Sequence, residues 1–283
     1  MKYFIVFLIL TATNLTAQNI LKFDKRNVQC EDKWVALQMN KDSSYVFGFI
    51  YIDDMAGLTF NYEGSFKIDK KGDFKKTVSD TKNQIGFIKK RLQPNRVALA
   101  EIPESKFKEL DIKKIPDWLA TYKEGENTIE RMYRWGYLYN GYEECEKALT
   151  YLEKAEKINA NFKGLQTELA FSYNALGKYN KAVNALKTSI KNDPKDCYSL
   201  KELAFSYNHL EQIDNSIATY NKMVSICSEK SFIQEAALNL AYEYFKIKNI
   251  QKFDFWDKET RKWSDKENQF TKNLDNMKSE LGK

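Results

Sequence analysis

The side chains with which this chain could do covalent or metal chemistry are few. Among its 283 residues there is one histidine, His209. Ser/His/Asp and Cys/His triads need an imidazole as base, and zinc sites usually recruit several. His209 falls at the end of a helical pattern, where an exposed polar residue is the ordinary outcome. No G-x-G-x-x-G, P-loop or G-x-S-x-G run occurs. Asp53-Asp54 could serve glycoside hydrolysis or hold a cation; beside Met55-Ala56-Gly57 it reads more simply as a turn. Glu143-Glu144 reads as solvated charge between two helices. The cysteines, Cys30, Cys145, Cys197 and Cys227, form no C-x-x-C pair, so neither a zinc knuckle nor a thioredoxin-type site is indicated. The expectation is a non-enzymatic chain with no metal and no cofactor.

Charge does not redirect that expectation. There are 45 Lys+Arg against 39 Asp+Glu, a formal +6, with both signs interspersed. Lys89-Lys90-Arg91 is the densest basic run, and it stands alone. Nucleic-acid binding would need a basic stripe with aromatic platforms. Lysines that keep a strand edge from aggregating explain the run adequately.

The elements that must position any site are set by a repeat. Glu-Leu-Ala-Phe-Ser-Tyr-Asn occurs at Glu168–Asn174 and again at Glu202–Asn208, 34 residues later. A fixed period of this size marks stacked structural repeats. Rows beginning at Ile129, Lys163 and Cys197 align Trp135-Gly136, Leu169-Ala170 and Leu203-Ala204. Tyr139, Tyr173 and Tyr207 also align, as do Ala148, Ala182 and Ser216, then Leu152, Leu186 and Tyr220. Pro194 closes the second row. A fourth row follows a three-residue insertion, begins at Gln234 and supplies Leu240-Ala241 and Tyr244. Each row predicts two amphipathic helices split by a turn such as Leu176-Gly177-Lys178. One helical hairpin cannot bury its apolar face alone, so neighbours must stack. The pattern resembles the tetratricopeptide repeat over roughly 129–263, in rows 129–162, 163–196, 197–230 and 234–263. Phe253 occupies the small position of the last row, as expected where an array ends.

The resemblance implies a concave groove, lined by the first helices, that receives an extended peptide or a helix. It also implies that the ninth row position points inward; here that position holds Tyr137, Phe171, Phe205 and Tyr242. The twelfth holds Asn140, Asn174 and Asn208, then Phe245. Asparagine suits gripping a peptide backbone, and aromatics supply apolar area at low entropy cost. Family members that bind a C-terminal carboxylate use Lys, Asn and Arg at set positions. Their ninth-position Asn is aromatic here, which argues against an acidic tail and leaves Arg134 and Lys201 as anion contacts. The implied partner is a protein or peptide segment. The stripe could equally pack on the second helices or on this chain's own N-terminal domain. Cys197 opens row three and Cys227 lies near the end of its second helix, at the same end of an antiparallel hairpin. They are either a disulfide or two thiols packed as small apolar residues.

Lys2 followed by the apolar run Tyr3–Leu10, then Leu15-Thr16-Ala17, has the order of a cleavable secretory signal over 1–17. The run is far short of the ~20 residues that span a bilayer; an uncleaved anchor is the competing reading. A periplasmic or secreted location follows, where disulfides are permitted. Residues 19–124 read as a small antiparallel β-domain of about six strands: Trp34–Met39, Tyr45–Ile52, Leu58–Tyr62, Ser65–Asp69, Asp73–Thr77 and Arg96–Ile102. A hairpin at Lys70-Lys71-Gly72, a turn at Gln93-Pro94-Asn95 and two short helices after Pro103 and Pro116 complete it. The boundary is placed at Lys123–Asn127, with Asn127 capping the first repeat helix. Ser264-x-x-Glu267 has capping-box spacing and should start a helix over 264–283 whose stripe Phe270, Leu274, Met277 and Leu281 covers the last repeat. The fold class expected is α+β: a β-rich N-terminal domain, then an α-helical tetratricopeptide repeat solenoid with a capping helix. An envelope-acting hydrolase or ligand-binding N-terminal domain, docked by the repeats, is the alternative function.

Overall fold

The computed structural model describes residues 20–77, 89–93, 98–264 and 266–282. The expected signal at 1–17 lies outside these residues, as do Pro94 and Asn95 of the expected turn. The chain divides into two compact units between Gly125 and Glu126.

The first unit is an antiparallel sheet of β1 (Lys33–Ala36), β2 (Tyr45–Asp53), β3 (Gly57–Ile68), β4 (Phe74–Thr77), β5 (Lys89–Arg91) and β6 (Ala100–Glu101). The order is β4-β3-β2-β1-β6, with β5 pairing β3 as well. In β2, Phe47, Phe49 and Tyr51 point to one face and Ile50 and Ile52 to the other, and none is more than 2% exposed. Burial on both faces is why this run is continuously apolar rather than alternating. The aromatic face packs Trp34, Phe47, Phe49, Tyr51 and Phe66 against Leu110, Trp118 and Leu119. Trp118, just before the short helix α1 (Leu119–Tyr122), meets Phe49 and Tyr51 edge-on, with centroids 5.8 and 5.0 Å apart.

Two runs expected as separate strands, Leu58–Tyr62 and Ser65–Asp69, are one strand. The register of β2 on β3 slips between Phe47 and Gly48, so the sheet absorbs an extra residue instead of breaking. Gly48 makes this possible: a Cβ there would lie 2.2 Å from the Asn61 carbonyl oxygen.

The second unit is four helical hairpins and a cap. The hairpins are α2 (Ile129–Gly141) with α3 (Cys145–Ile158), α4 (Leu165–Ala175) with α5 (Tyr179–Asn192), α6 (Cys197–His209) with α7 (Ile213–Ile226), and α8 (Lys230–Lys246) with α9 (Ile250–Arg261). Ala148, Ala182 and Ser216 are fully buried where the paired helices meet. The opposing small position is as tight: a Cβ on Gly136 would come within 2.3 Å of Leu152. The turn inside every hairpin uses a left-handed residue at one repeat position, Glu143, Gly177, Glu211 and Lys248, with φ of 62°, 68°, 58° and 53°. Only one of the four is glycine, although glycine alone adopts this conformation without steric penalty.

Two capping expectations are corrected. Thr128, not Asn127, caps α2, accepting from the Arg131 amide. The last helix, α10 (Gln269–Leu281), starts later than expected, with Asn268 and Thr271 forming the capping box. Ser264 is diverted to a local turn, donating to the Lys266 carbonyl. Asn268 does further work by donating to Gln234 on α8 at 2.9 Å, which fixes where α10 begins. Leu274 is fully buried, and Phe270, Met277 and Leu281 pack on the same core as α8 and α9.

Candidate functional site

The ninth-position aromatics sit on the first helices of the four hairpins. Tyr137 and Tyr242 are 47% and 46% exposed, while Phe171 and Phe205 are half-buried. Large rings left in water at a recurring position are the least expected feature of a stacked array. Each exposed Tyr carries a cation: the Arg134 guanidinium lies 5.7 Å from the Tyr137 ring centre and Lys246 Nζ 5.5 Å from that of Tyr242. Phe205 packs edge-on to His209 at 4.3 Å, and His209 stacks flat on Tyr179 at 4.4 Å. Burial lowers the His209 pKa, with Glu243 opposing and Lys246 reinforcing the shift. Phe171 lines a cavity of about 410 Å³ with Glu143, Glu146, Cys145 and Leu176.

The asparagine row does not belong to this surface. Asn140 Nδ2 donates to the Glu168 carbonyl (3.0 Å) and carboxylate (2.8 Å), and Ser172 Oγ donates to Asn140 Oδ1 (2.6 Å). One repeat on, Asn174 donates to the Glu202 carbonyl and carboxylate at 3.4 and 3.0 Å and accepts from Ser206 at 2.7 Å. The expected role of Asn140 and Asn174 in gripping a ligand is therefore corrected: both are buried and joined to the following repeat. The heptapeptide Glu-Leu-Ala-Phe-Ser-Tyr-Asn encodes this ladder. Its Glu and Ser receive the preceding repeat's Asn, and its own Asn reaches to the next. The recurrence of Glu and Ser together with Asn, at Glu168, Ser172 and Asn174 and again at Glu202, Ser206 and Asn208, is the signal of this ladder in the sequence. Asn208 is the exception. It is 2% exposed, and neither Oδ1 nor Nδ2 has a partner among the described residues.

Lys201 is also committed elsewhere. Its ammonium lies 2.9 Å from Glu202 and 3.3 Å from Glu235, over the rings of Tyr198 and Phe232. Burial would lower its pKa, but the two carboxylates outweigh that and raise it. It is a brace between repeats, not an open anion contact. Glu168 occupies the same rung as Glu202 but has Thr167 where Glu202 has Lys201. Burial raises the Glu168 pKa, and the Asn140 hydrogen bond only partly opposes it.

Cys197 and Cys227 form a disulfide, Cα atoms 5.8 Å apart, tying the start of α6 to the residue after α7. Cys30 and Cys145 are free and buried; burial pushes the Cys30 thiol up to about 11. Asp53 Oδ1 accepts from the Met55 and Ala56 amides, the geometry of a turn. Among the described residues no three His, Cys, Asp or Glu side chains are grouped to hold a metal ion. Nor is any described helix long and apolar enough to cross a membrane.

The family model described as Tetratricopeptide repeat matches residues 165–196, the second hairpin and its exit turn. No curated protein matches the chain. Among solved structures, one similar chain is titled MamA MSR-1 C2. It is 16% identical, with a TM-score of 0.45, over 51% of this chain and 82% of that one. The matched repeat and its three aligned neighbours make the C-terminal half a tetratricopeptide repeat array.

Proposed function

We propose that this is an exported, non-enzymatic interaction protein that takes a peptide or partner segment along the face bearing Tyr137, Phe171, Phe205 and Tyr242. The observation that carries the reading is the exposure of aromatic rings at one position of successive repeats, near half for the two tyrosines. Aromatic anchors of this kind dominate the energetics of protein interfaces. Tetratricopeptide repeats support a role in protein–protein interaction, and Asp53 acting as a turn acceptor offers nothing toward hydrolysis. Export is supported by the charged, apolar, small-residue order at the N-terminus and by a disulfide, which persists in oxidising compartments. The groove is tested with Phe171→Ala plus Phe205→Ala, assayed by capture from envelope extract and by far-UV circular dichroism. Loss of capture with the helical signal intact is expected; a folded double variant that captures equally well refutes the groove. N-terminal sequencing after fractionation tests export, and an intact leader on a cytoplasmic chain would refute it.

A further inference from the structure

We propose that α4 carries a subsite for a basic side chain of the partner segment, in which the Glu168 carboxylate is the counter-ion of a lysine or arginine whose apolar neighbour lies on Phe171. This deepens the groove reading and rests on it. Glu168 and Glu202 hold the same repeat position and receive the same asparagine bond from the preceding hairpin. Their electrostatics differ. Glu202 has a cation of its own, Lys201, 2.9 Å away. In α4 the residue at that place is Thr167, whose hydroxyl is occupied with Ser189 and Ser199 at 2.9 and 3.0 Å. Among the groups acting on Glu168, the Asn140 amide alone offsets the cost of burial, and no cation does so.

A carboxylate drawn out of water without a counter-charge costs folding stability and calls for a reason. A partner can supply that charge, because the site is open. Glu168 is half-buried. Its Oε2 accepts from Asn140, while Oε1 accepts no hydrogen bond among the described residues and is not sealed from solvent. The cations of the adjoining first helices are turned elsewhere, Arg134 to the Tyr137 ring and Lys201 to Glu202 and Glu235. One turn further along α4 comes Phe171, and beyond it the cavity of about 410 Å³ whose wall includes Glu143 and Glu146. Both of these are exposed, and neither is in an ion pair among the described residues. The whole chain has a formal charge of +6, so a phenyl ring set between carboxylates is a local reversal of sign. Charge complementarity selects a basic segment for it over an acidic or purely apolar one.

The full-length protein is panned against phage displaying random dodecapeptides, and an enriched peptide is titrated into wild type, Glu168→Gln and the Phe171→Ala/Phe205→Ala variant. Enriched peptides should carry Lys or Arg close to an apolar side chain. Glu168→Gln keeps an acceptor for Asn140 and should melt no lower than wild type at neutral pH, yet weaken the peptide on the order of ten- to a hundredfold. Replacing the peptide's Lys by norleucine, or its Arg by citrulline, should weaken wild-type binding by a similar factor and leave binding to Glu168→Gln unchanged. If the peptide needs Phe171 and Phe205 but carries no basic residue, or if the two losses simply add, the subsite is overturned and the groove stands. Enrichment of no peptide over the aromatic double variant overturns both. A Glu168→Gln variant that melts well below wild type shows the carboxylate already satisfied in the unbound protein and also overturns the subsite.

Discussion

Reducing the Cys197–Cys227 bond should weaken the third hairpin by an amount that its chain topology sets. The bond closes a loop with a sequence separation of 30. Loop-closure entropy for that length corresponds to about 3.6 kcal/mol at 25 °C, drawn from the unfolded ensemble. For a helical unit of this size each kcal/mol moves the midpoint by roughly 2–4 °C, so the reduced protein should melt on the order of 10 °C lower. Repeats couple only to their neighbours, so the loss begins in one hairpin and the transition should broaden as well as shift. The assay is calorimetry with and without a phosphine reductant, after non-reducing peptide mapping has shown the bond. A Cys197→Ala/Cys227→Ala variant should melt identically in both conditions. Midpoints within about 1 °C for oxidised and reduced wild type would refute the loop-closure argument, and free thiols at both positions would refute the pairing.

Three further perturbations test other parts of the structure. Glu211 holds φ of 58° at the position that Gly177 fills one repeat earlier. Glu211→Gly should therefore stabilise by roughly 0.5–1 kcal/mol in urea titration, and destabilisation would sink the strain argument. Gly48→Ala forces a methyl against the Asn61 carbonyl and the Phe60 ring; a loss of about 1–3 kcal/mol or more is expected, and an unchanged urea midpoint would contradict the packing. Burial raises the Glu168 pKa in the folded state, so ionisation there opposes folding. That penalty is relieved as pH falls through the raised value and is fully present above it. The stability gained by Glu168→Gln should thus grow from pH 4 to pH 8, and a difference flat with pH would rule the explanation out.

The spacing of 34 made the hairpins legible because packing positions repeat with the fold: Leu, Ala and Tyr recur where helices touch. Burial on both faces of β2 was likewise legible, since only a doubly covered strand is apolar at every position. The bulge at Glu63 of β3, opposite Phe47 and Gly48, was not. It depends on how β2 and β3 share register, which is a property of the pair rather than of either run. The asparagines show the same limit at the candidate site. Their offset located the helix position but not the direction, and the partners of Asn140 lie 28 and 32 residues away in the next repeat. Lys201 read as an open cation because Glu202 and Glu235 reach it only once helices α6 and α8 are stacked. The start of α10 was missed because Ser264 and Asn268 are both good caps, and the bond from Asn268 to Gln234 decides between them.

The ladder of Asn, Glu and Ser gives the array a direction. The second hairpin is a socket for the one before it and a plug for the one after. A helix rotated or slid by one residue would leave a buried amide without its carboxylate and hydroxyl. The hydrogen bonds therefore act as a gauge that sets the angle and rise from one hairpin to the next, which greasy contacts alone would tolerate loosely. The same property makes the unit portable. A duplicate of residues 163–196 inserted after the third hairpin would receive Asn208 as naturally as repeat three receives Asn174, and growth by tandem copying would conserve the superhelix without any new design.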